Sequence, residues 1–345
     1  MSSDPPASAA VAVGVEPRLE GMHHITMITG DAQANVDFYA GVLGLRLVKK
    51  TVNFDAPDMY HLYYGDDAGS PGSVLTWFEI RGARAGRAGD GMIHTIELGV
   101  PGAASLDYWR DRLTSTGVKV AFDGDRLAFV DYDGLGYALV PSTNGNAPLQ
   151  ATTGDVPREH AIIGVEGARA YSSRPERDHA VLVEAFGFER VGGVVGSAEA
   201  GDARDGGIPH GDIPPSGDDD YLLRGYDRSF RWSYDAPPKA PGINGAGTVH
   251  HIAWCSRDDE QVGWQERARA AGLHVTPVVD RDYFTAVYTR VPSGIMFEVA
   301  TMGPGFAVDE DPARLGEGLR VPKQFASMRD QIEGLLTPIT VPSER

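Results

Sequence analysis

Two doubled histidines and one glutamate are the residues best suited to holding a reactive centre. They lie in Met22-His23-His24-Ile25-Thr26, in Val249-His250-His251-Ile252-Ala253-Trp254 and in Ile295-Met296-Phe297-Glu298-Val299. Each run reads as a strand. An ionised carboxylate among Ile295, Phe297 and Val299 is costly unless something pairs with it. Two imidazoles and one carboxylate form the facial triad that leaves coordination positions open on Fe(II); manganese accepts the same set, and catalytic zinc sites also use it. Taken singly, each histidine reads as a satisfied structural residue, and Glu298 as the partner of Arg281 or Arg290. Doubled histidines in two places, with Glu298 close behind one of them, favour a metal.

Alternation along a strand assigns faces. Ile295, Phe297 and Val299 share the face that packs under helices; Met296, Glu298 and Ala300 share the concave one. His251 goes with Val249, Ala253 and Cys255, and His250 goes with Ile252 and Trp254 on the opposite face. At the first pair, periodicity does not say which histidine points inward. A hairpin turn at Pro292-Ser293-Gly294, centred on Ser293, sets Tyr288 opposite Glu298. Opposed side chains have Cβ atoms roughly 4.5–5.5 Å apart, so a phenol stands beside the carboxylate, suited to bonding a bound substrate.

The elements that carry these residues form an internal repeat. Four times a β-rich stretch leads into an amphipathic helix, then Gly with an apolar residue and a strand: helices near 34–42, 105–113, 178–186 and 260–270 precede Gly44, Gly117, Gly187 and Gly272. Each Gly sits where a helix C-cap needs a left-handed residue. Hairpin signals follow at Gly69-Ser70-Pro71-Gly72, Asp133-Gly134-Leu135-Gly136 and Ser293-Gly294. The unit is βαβββ, with the third copy the most degenerate. The fold class is α+β: four modules forming two domains of cupped mixed sheets with outer helices. The expected division is a disordered leader at 1–18, modules one and two at 19–143, a linker at 144–158, modules three and four at 159–303, and an extension at 304–345 with a helix near 328–336. A polar stretch at 192–220 reads as a surface loop, a mobile flap in function.

Composition narrows the class. The chain has 345 residues, enough for two domains with proper cores. A net charge of -17 argues against nucleic acid and against an anionic membrane surface. No apolar run approaches the roughly 20 residues of a membrane span, and the N-terminus lacks the basic region of a signal peptide. The single cysteine, Cys255, excludes an intrachain disulfide and fits a cytoplasmic protein. It reads as core, since nothing nearby activates it. Homo-oligomerisation is compatible with all of this.

These residues resemble the vicinal-oxygen-chelate superfamily of glyoxalase I, fosfomycin-resistance proteins and extradiol dioxygenases, and within it the hydroquinone ring-cleaving dioxygenases. The resemblance runs from about residue 19 to 338. Besides the histidine pairs it rests on Tyr60-His61-Leu62-Tyr63-Tyr64, on Tyr288-Thr289-Arg290 with Gly294-Ile295-Met296-Phe297-Glu298, and on Val321-Pro322-Lys323-Gln324-Phe325. It implies that His24, His251 and Glu298 bind iron, and that Tyr288, Arg281, Thr26, His23 and His250 lie near the substrate or behind the ligands. The implied substrates are a small aromatic diol and O2, both oxygen atoms entering the opened ring. Placing His250 near the site conflicts with strict alternation unless the strand is distorted. The middle modules keep His94 and Glu166, but Ala138 stands where a ligating Glu would be, so the second, pseudo-symmetric site is expected to be metal-free. Trp77, Tyr63, Tyr64 and Trp254 are candidates to line a ring pocket, though each reads first as core. The rivals are a glyoxalase-like isomerase or glutathione transferase, which needs a further ligand such as Glu79, and a metal-free drug-binding resistance protein.

Overall fold

The computed structural model describes residues 17–191 and 220–341. Apart from Pro17, Arg18 and Asp220, the leader and the 192–220 loop lie outside the described residues. Two eight-stranded mixed sheets carry the fold. The first runs β14 (Val279–Asp280), β15 (Phe284–Arg290), β16 (Met296–Pro304), β13 (Thr248–Ser256), β1 (Gly21–Thr29), β4 (Val74–Glu79), β3 (Tyr60–Gly65), β2 (Arg46–Val52). The second runs β10 (Glu189–Val191), β11 (Asp220–Arg224), β12 (Ser229–Asp235), β9 (Val165–Tyr171), β5 (Met92–Val100), β8 (Gly136–Pro141), β7 (Arg126–Val130), β6 (Val120–Asp123).

The repeat has the periodicity read from the sequence. Gly44, Gly117, Gly187 and Gly272 all take left-handed φ, between 69° and 84°, where a Cβ would clash with the backbone. The first helix, α1 (Ala32–Val36), is capped by Asp31, whose carboxylate accepts from the N–H groups of Gln33 and Ala34 at 2.9 and 3.0 Å. Helices α2 (Ala103–Ser115) and α3 (Gln261–Ala270) serve modules two and four. The third module has only short turns, Pro175–Arg177 and Val181–Ala185, in place of an α-helix. A last helix, α4 (Arg329–Leu335), follows in the extension.

The sheets do not follow the division at 144–158. Each of the halves expected at 19–143 and 159–303 supplies one module to each sheet, so the first sheet joins modules one and four and the second joins two and three. Links inside a module are hairpins and one helix, and these are local. Every module also presents the same free edge on its first strand, so sequence order does not decide which modules pair.

The central β1–β13 pairing explains the doubled histidines. Met22 pairs with Trp254 and His24 with Ala253, so His23 is an extra residue bulged out of β1; Thr26 pairs with His251 and Met27 with Val249, so His250 is the extra residue in β13. A bulge lets two neighbours lean to one side where alternation would separate them. The expectation that His250 lies opposite His251 is therefore corrected: their Nδ1 atoms are 2.7 Å apart, as those of His23 and His24 are 2.9 Å apart.

Ile252, Trp254, Phe297 and Val299 are buried in the main core, as their alternation requires. Trp77 and Tyr64 join them there. Tyr63 instead belongs to a smaller apolar cluster with Ala253, Phe284, Ala300 and Phe306 on the concave face. Beyond β16 the extension crosses this side. Buried Lys49 on β2 pairs with Asp309 at 2.7 Å and with Glu310, and Gln324 donates to the Phe54 carbonyl at 2.6 Å. Among the described residues no helix is long and apolar enough to cross a membrane.

Candidate metal centre

His24, His251 and Glu298 come together from β1, β13 and β16, one ligand atom of each lying within 4.8 Å of the others. His251 Nε2 is 2.8 Å and His24 Nε2 3.4 Å from the same Glu298 oxygen, and the two Nε2 atoms are 3.3 Å apart. All three residues are buried, and neither Glu298 oxygen has a hydrogen bond of good geometry. Burial alone would raise Glu298; the facing His24 and His251 outweigh it and hold the carboxylate well below its usual range. Neither arginine neutralises it. Arg290 donates to the Gly294 carbonyl at 2.7 Å, and Arg281 donates to Tyr288 at 3.1 Å and Asp55 at 3.2 Å.

The hydrogen bonds behind His24 fix its proton. The Thr301 carbonyl can only accept, so His23 Nε2, 3.1 Å away, carries a hydrogen. Burial, then the neighbouring His24, lowers His23 to about 3, so it is neutral and its Nδ1 is bare. His24 Nδ1 must then donate to it, which leaves His24 Nε2 as the atom that faces Glu298 and His251. His250 stands behind His251 in the mirror arrangement, but as a residue it is exposed to solvent where His23 is buried. Once both Nε2 atoms are free of their protons, they and the carboxylate point lone pairs at one buried place, which a cation is needed to fill. The donor set fits a divalent metal, with His23 and His250 orienting the ligands.

The other expected site residues divide. Tyr288 pairs with Glu298 in register, and its ring lies edge-on to His251 at 5.9 Å. Burial, then Glu298, pushes its hydroxyl well above the usual phenol range. Arg281 lies over Tyr288 and Phe54, at 5.3 and 5.7 Å. Thr26 faces His251 across the strand pair, its hydroxyl buried without a hydrogen-bond partner. Cys255 is buried and unreactive, because burial pushes its thiol up.

The β1–β13 register has an approximate twofold symmetry that exchanges His24 with His251 and Thr26 with Ala253. Thr26 pairs with Thr76 on β4, and Ala253 with Glu298 on β16, so Thr76 occupies the mirror position of Glu298. Glu79, the rival fourth ligand, lies three residues farther along β4 and so on the opposite face; its carboxylate receives the N–H groups of Ala32 and Tyr60. Among the described residues the cluster has three ligands. Sequence reasoning gave no role to Thr76 or to His61, which are bonded to each other at 2.5 Å, with Tyr63 bonded to His61 at 2.9 Å. The available signal was the alternation of His61 and Tyr63 on β3.

In the second sheet no comparable cluster exists among the described residues. Ala138 and Ser233 stand at the positions corresponding to Glu298, and Thr95 and Gly167 replace the ligating histidines.

Residues 21–140 match the family model described as glyoxalase/bleomycin resistance protein/dioxygenase superfamily. The chain is 41% identical to the Bacillus subtilis (strain 168) protein named "Putative ring-cleaving dioxygenase MhqO", over 93% of this chain and 97% of that one. It is 31% identical to the chlorohydroquinone/hydroquinone 1,2-dioxygenase of Sphingobium indicum, over 91% and 95% of the two chains. A crystal structure of a "putative dioxygenase" from Bacillus subtilis superposes with a TM-score of 0.81 at 39% identity, covering 94% and 98%. Maize glyoxalase I shares the fold alone, with a TM-score of 0.52 at 12% identity over 83% and 92%.

Proposed function

The chain belongs to the glyoxalase/bleomycin resistance protein/dioxygenase superfamily, in its hydroquinone ring-cleaving group, and on that premise we propose that it is an Fe(II)-dependent, extradiol-type dioxygenase. Its substrate is a hydroquinone-type diol, cleaved in the cytoplasm with insertion of both atoms of O2. The observation that carries this reading is the three-ligand cluster with Glu79 turned away. Three protein ligands leave room for two reactants, whereas a fourth would suit an isomerase. Iron(II) held by His24, His251 and Glu298 would supply open positions for the diol and O2 and a path for electrons between them.

The protein's own contribution is positional and electrostatic. His23 accepts from His24 Nδ1 and so holds His24 with Nε2 inward. Arg281, fixed against Tyr288 and Asp55, brings a permanent positive charge to the edge of the site, where an anionic ring oxygen develops. Tyr288 keeps its proton at neutral pH and can donate it, or lend it, to an oxygen beside Glu298. Thr26 offers a hydroxyl with no competing partner. Phe284, 5.3 Å from His24, and Phe78, 6.4 Å from His251, exclude water.

The test is oxygen uptake by anaerobically purified, Fe(II)-loaded protein given hydroquinone, methylhydroquinone, chlorohydroquinone and catechol in parallel, with a Mn(II)-loaded sample alongside. Rapid uptake with a para-diol, abolished by chelation, supports the proposal. No uptake with any of them, at stoichiometric metal, overturns it in favour of a non-redox isomerase or transferase.

A further inference from the structure

Thr76, His61 and Tyr63 lie on the concave face of the first sheet, at 0%, 6% and 1% exposure. The twofold symmetry that places Thr76 opposite Glu298 also places Tyr63 opposite Tyr288, because Tyr63 pairs with Thr76 as Tyr288 pairs with Glu298. The side of the triad without a protein ligand therefore faces a hydrogen-bonded chain, Tyr63 Oη to His61 Nδ1 at 2.9 Å and His61 Nε2 to Thr76 Oγ1 at 2.5 Å. Burial, reinforced by His24, holds His61 neutral.

The hydrogens of this chain can be counted. A neutral imidazole has one N–H, and each hydroxyl has one O–H, giving three donors. The two bonds use two of them. Whichever direction the chain takes, the third hydrogen belongs to an end hydroxyl, on Thr76 or on Tyr63. A buried donor of this kind needs an acceptor that the protein does not supply.

Phe78 connects this chain to the triad. Its ring lies 4.4 Å from that of His61 and 6.4 Å from that of His251, so it offers an apolar floor beside both. A diol ring lying on that floor with one oxygen at the His251 end has its opposite carbon at the His61 end. A para-diol carries an oxygen there; an ortho-diol carries a C–H and leaves the spare donor unmatched.

We propose that Thr76, His61 and Tyr63 form the subsite for the second oxygen of a para-diol, and that this chain selects para- over ortho-diols. The inference rests on the diol-cleaving reading above and adds to it the residues that set the preference for the para isomer. A polar site left unmatched discriminates strongly, here by roughly tenfold to a hundredfold.

The experiment is anaerobic calorimetric binding to the Fe(II)-loaded full chain, with hydroquinone, catechol and 4-methylphenol as probes and metal content measured on every sample. 4-Methylphenol keeps the ring and one hydroxyl but lacks the second oxygen. Wild type is expected to bind hydroquinone at least tenfold more tightly than either other probe. His61→Phe should erase that preference while leaving metal content and 4-methylphenol affinity unchanged. One of Thr76→Val and Tyr63→Phe, whichever removes the spare donor, should do the same, which keeps the test decisive if the His61 variant folds poorly. If wild type prefers hydroquinone and all three variants keep the preference within twofold, the subsite is wrong and the diol reading stands. If wild type with full metal binds neither diol, both fall.

Discussion

The two sheets are built on the same bulged strands and solve opposite electrostatic problems. In the first, His23 and His250 are the bulged residues; in the second, His94 and Glu166 occupy the same places, with Thr95 pairing Arg169 as His24 pairs Ala253. The first sheet gathers a carboxylate and imidazoles around a gap. The second fills the equivalent face with Arg169, fully buried, whose guanidinium donates to Asp235 at 2.8 and 2.5 Å. His94 also bonds Asp235, at 2.9 Å, while Arg126 pairs with Glu97. One sheet has the donor set for a cation from solution, and the other carries its own cation. The module thus tolerates either chemistry, because the bulge and the hairpins, which set the geometry, are independent of the charged residues they present.

The largest effect should come from removing the carboxylate ligand. Glu298→Ala is expected to abolish stoichiometric metal binding and turnover, and to lower the melting temperature of the metal-free protein, since the carboxylate that His24 and His251 stabilise is gone. Metal analysis and calorimetry check this; retained stoichiometric metal refutes the ligand assignment. The mirror experiment is Arg169→Met. It leaves Asp235 in the second sheet with His94 alone and should cost about 3–5 kcal/mol of stability without altering metal content. A variant that loses metal before it loses stability would break the comparison.

Acid should separate the sheets next. Burial lowers His23, His61 and His251 in the first sheet, and His94 in the second, where Asp235 partly offsets it. Below about pH 6.5 the unfolded chain takes up protons at these histidines and the folded sheet does not. Stability is therefore present at neutral pH and falls as the pH drops below 6.5, by about 1.4 kcal/mol per pH unit for each buried histidine still neutral. Hydrogen exchange of metal-free protein at pH 7 and 5, corrected for intrinsic rates, should show β1 and β13 losing more protection than β5 and β9. Equal losses would put the acid-sensitive groups elsewhere.

Much of this was legible before any coordinates. The four glycines, the hairpin that sets Tyr288 against Glu298, and the burial of Phe297 and Val299 follow from local turn chemistry and period-two alternation, which depend only on neighbours in sequence. What escaped depends on pairing. The sheets join module one to four and two to three because free strand edges are alike. The bulges that bring both histidines of a pair to one side appear only in the register between β1 and β13. Glu79 looked equivalent to Glu298 in sequence and proved to be three residues out of register, on the other face. The role of Thr76 and His61 was invisible for the same reason, since it requires the twofold symmetry of a sheet assembled from distant modules.

The smallest effect tests the asymmetry inside the first sheet. His23 is anchored on the Thr301 carbonyl and has only one neutral tautomer compatible with its partners, so it fixes the proton of His24. His250 is exposed, and water can accept from His251 Nδ1 in its place. Removing a partner of this kind typically weakens metal binding by about 10- to 100-fold. His23→Phe should fall in that range, and His250→Phe well below it. His23→Gln, whose side-chain carbonyl can accept the His24 proton, should recover most of the loss. Equal losses from the two Phe variants would mean that exposure of His250 does not weaken its hold on His251, and that the carbonyl behind His23 adds nothing to its own.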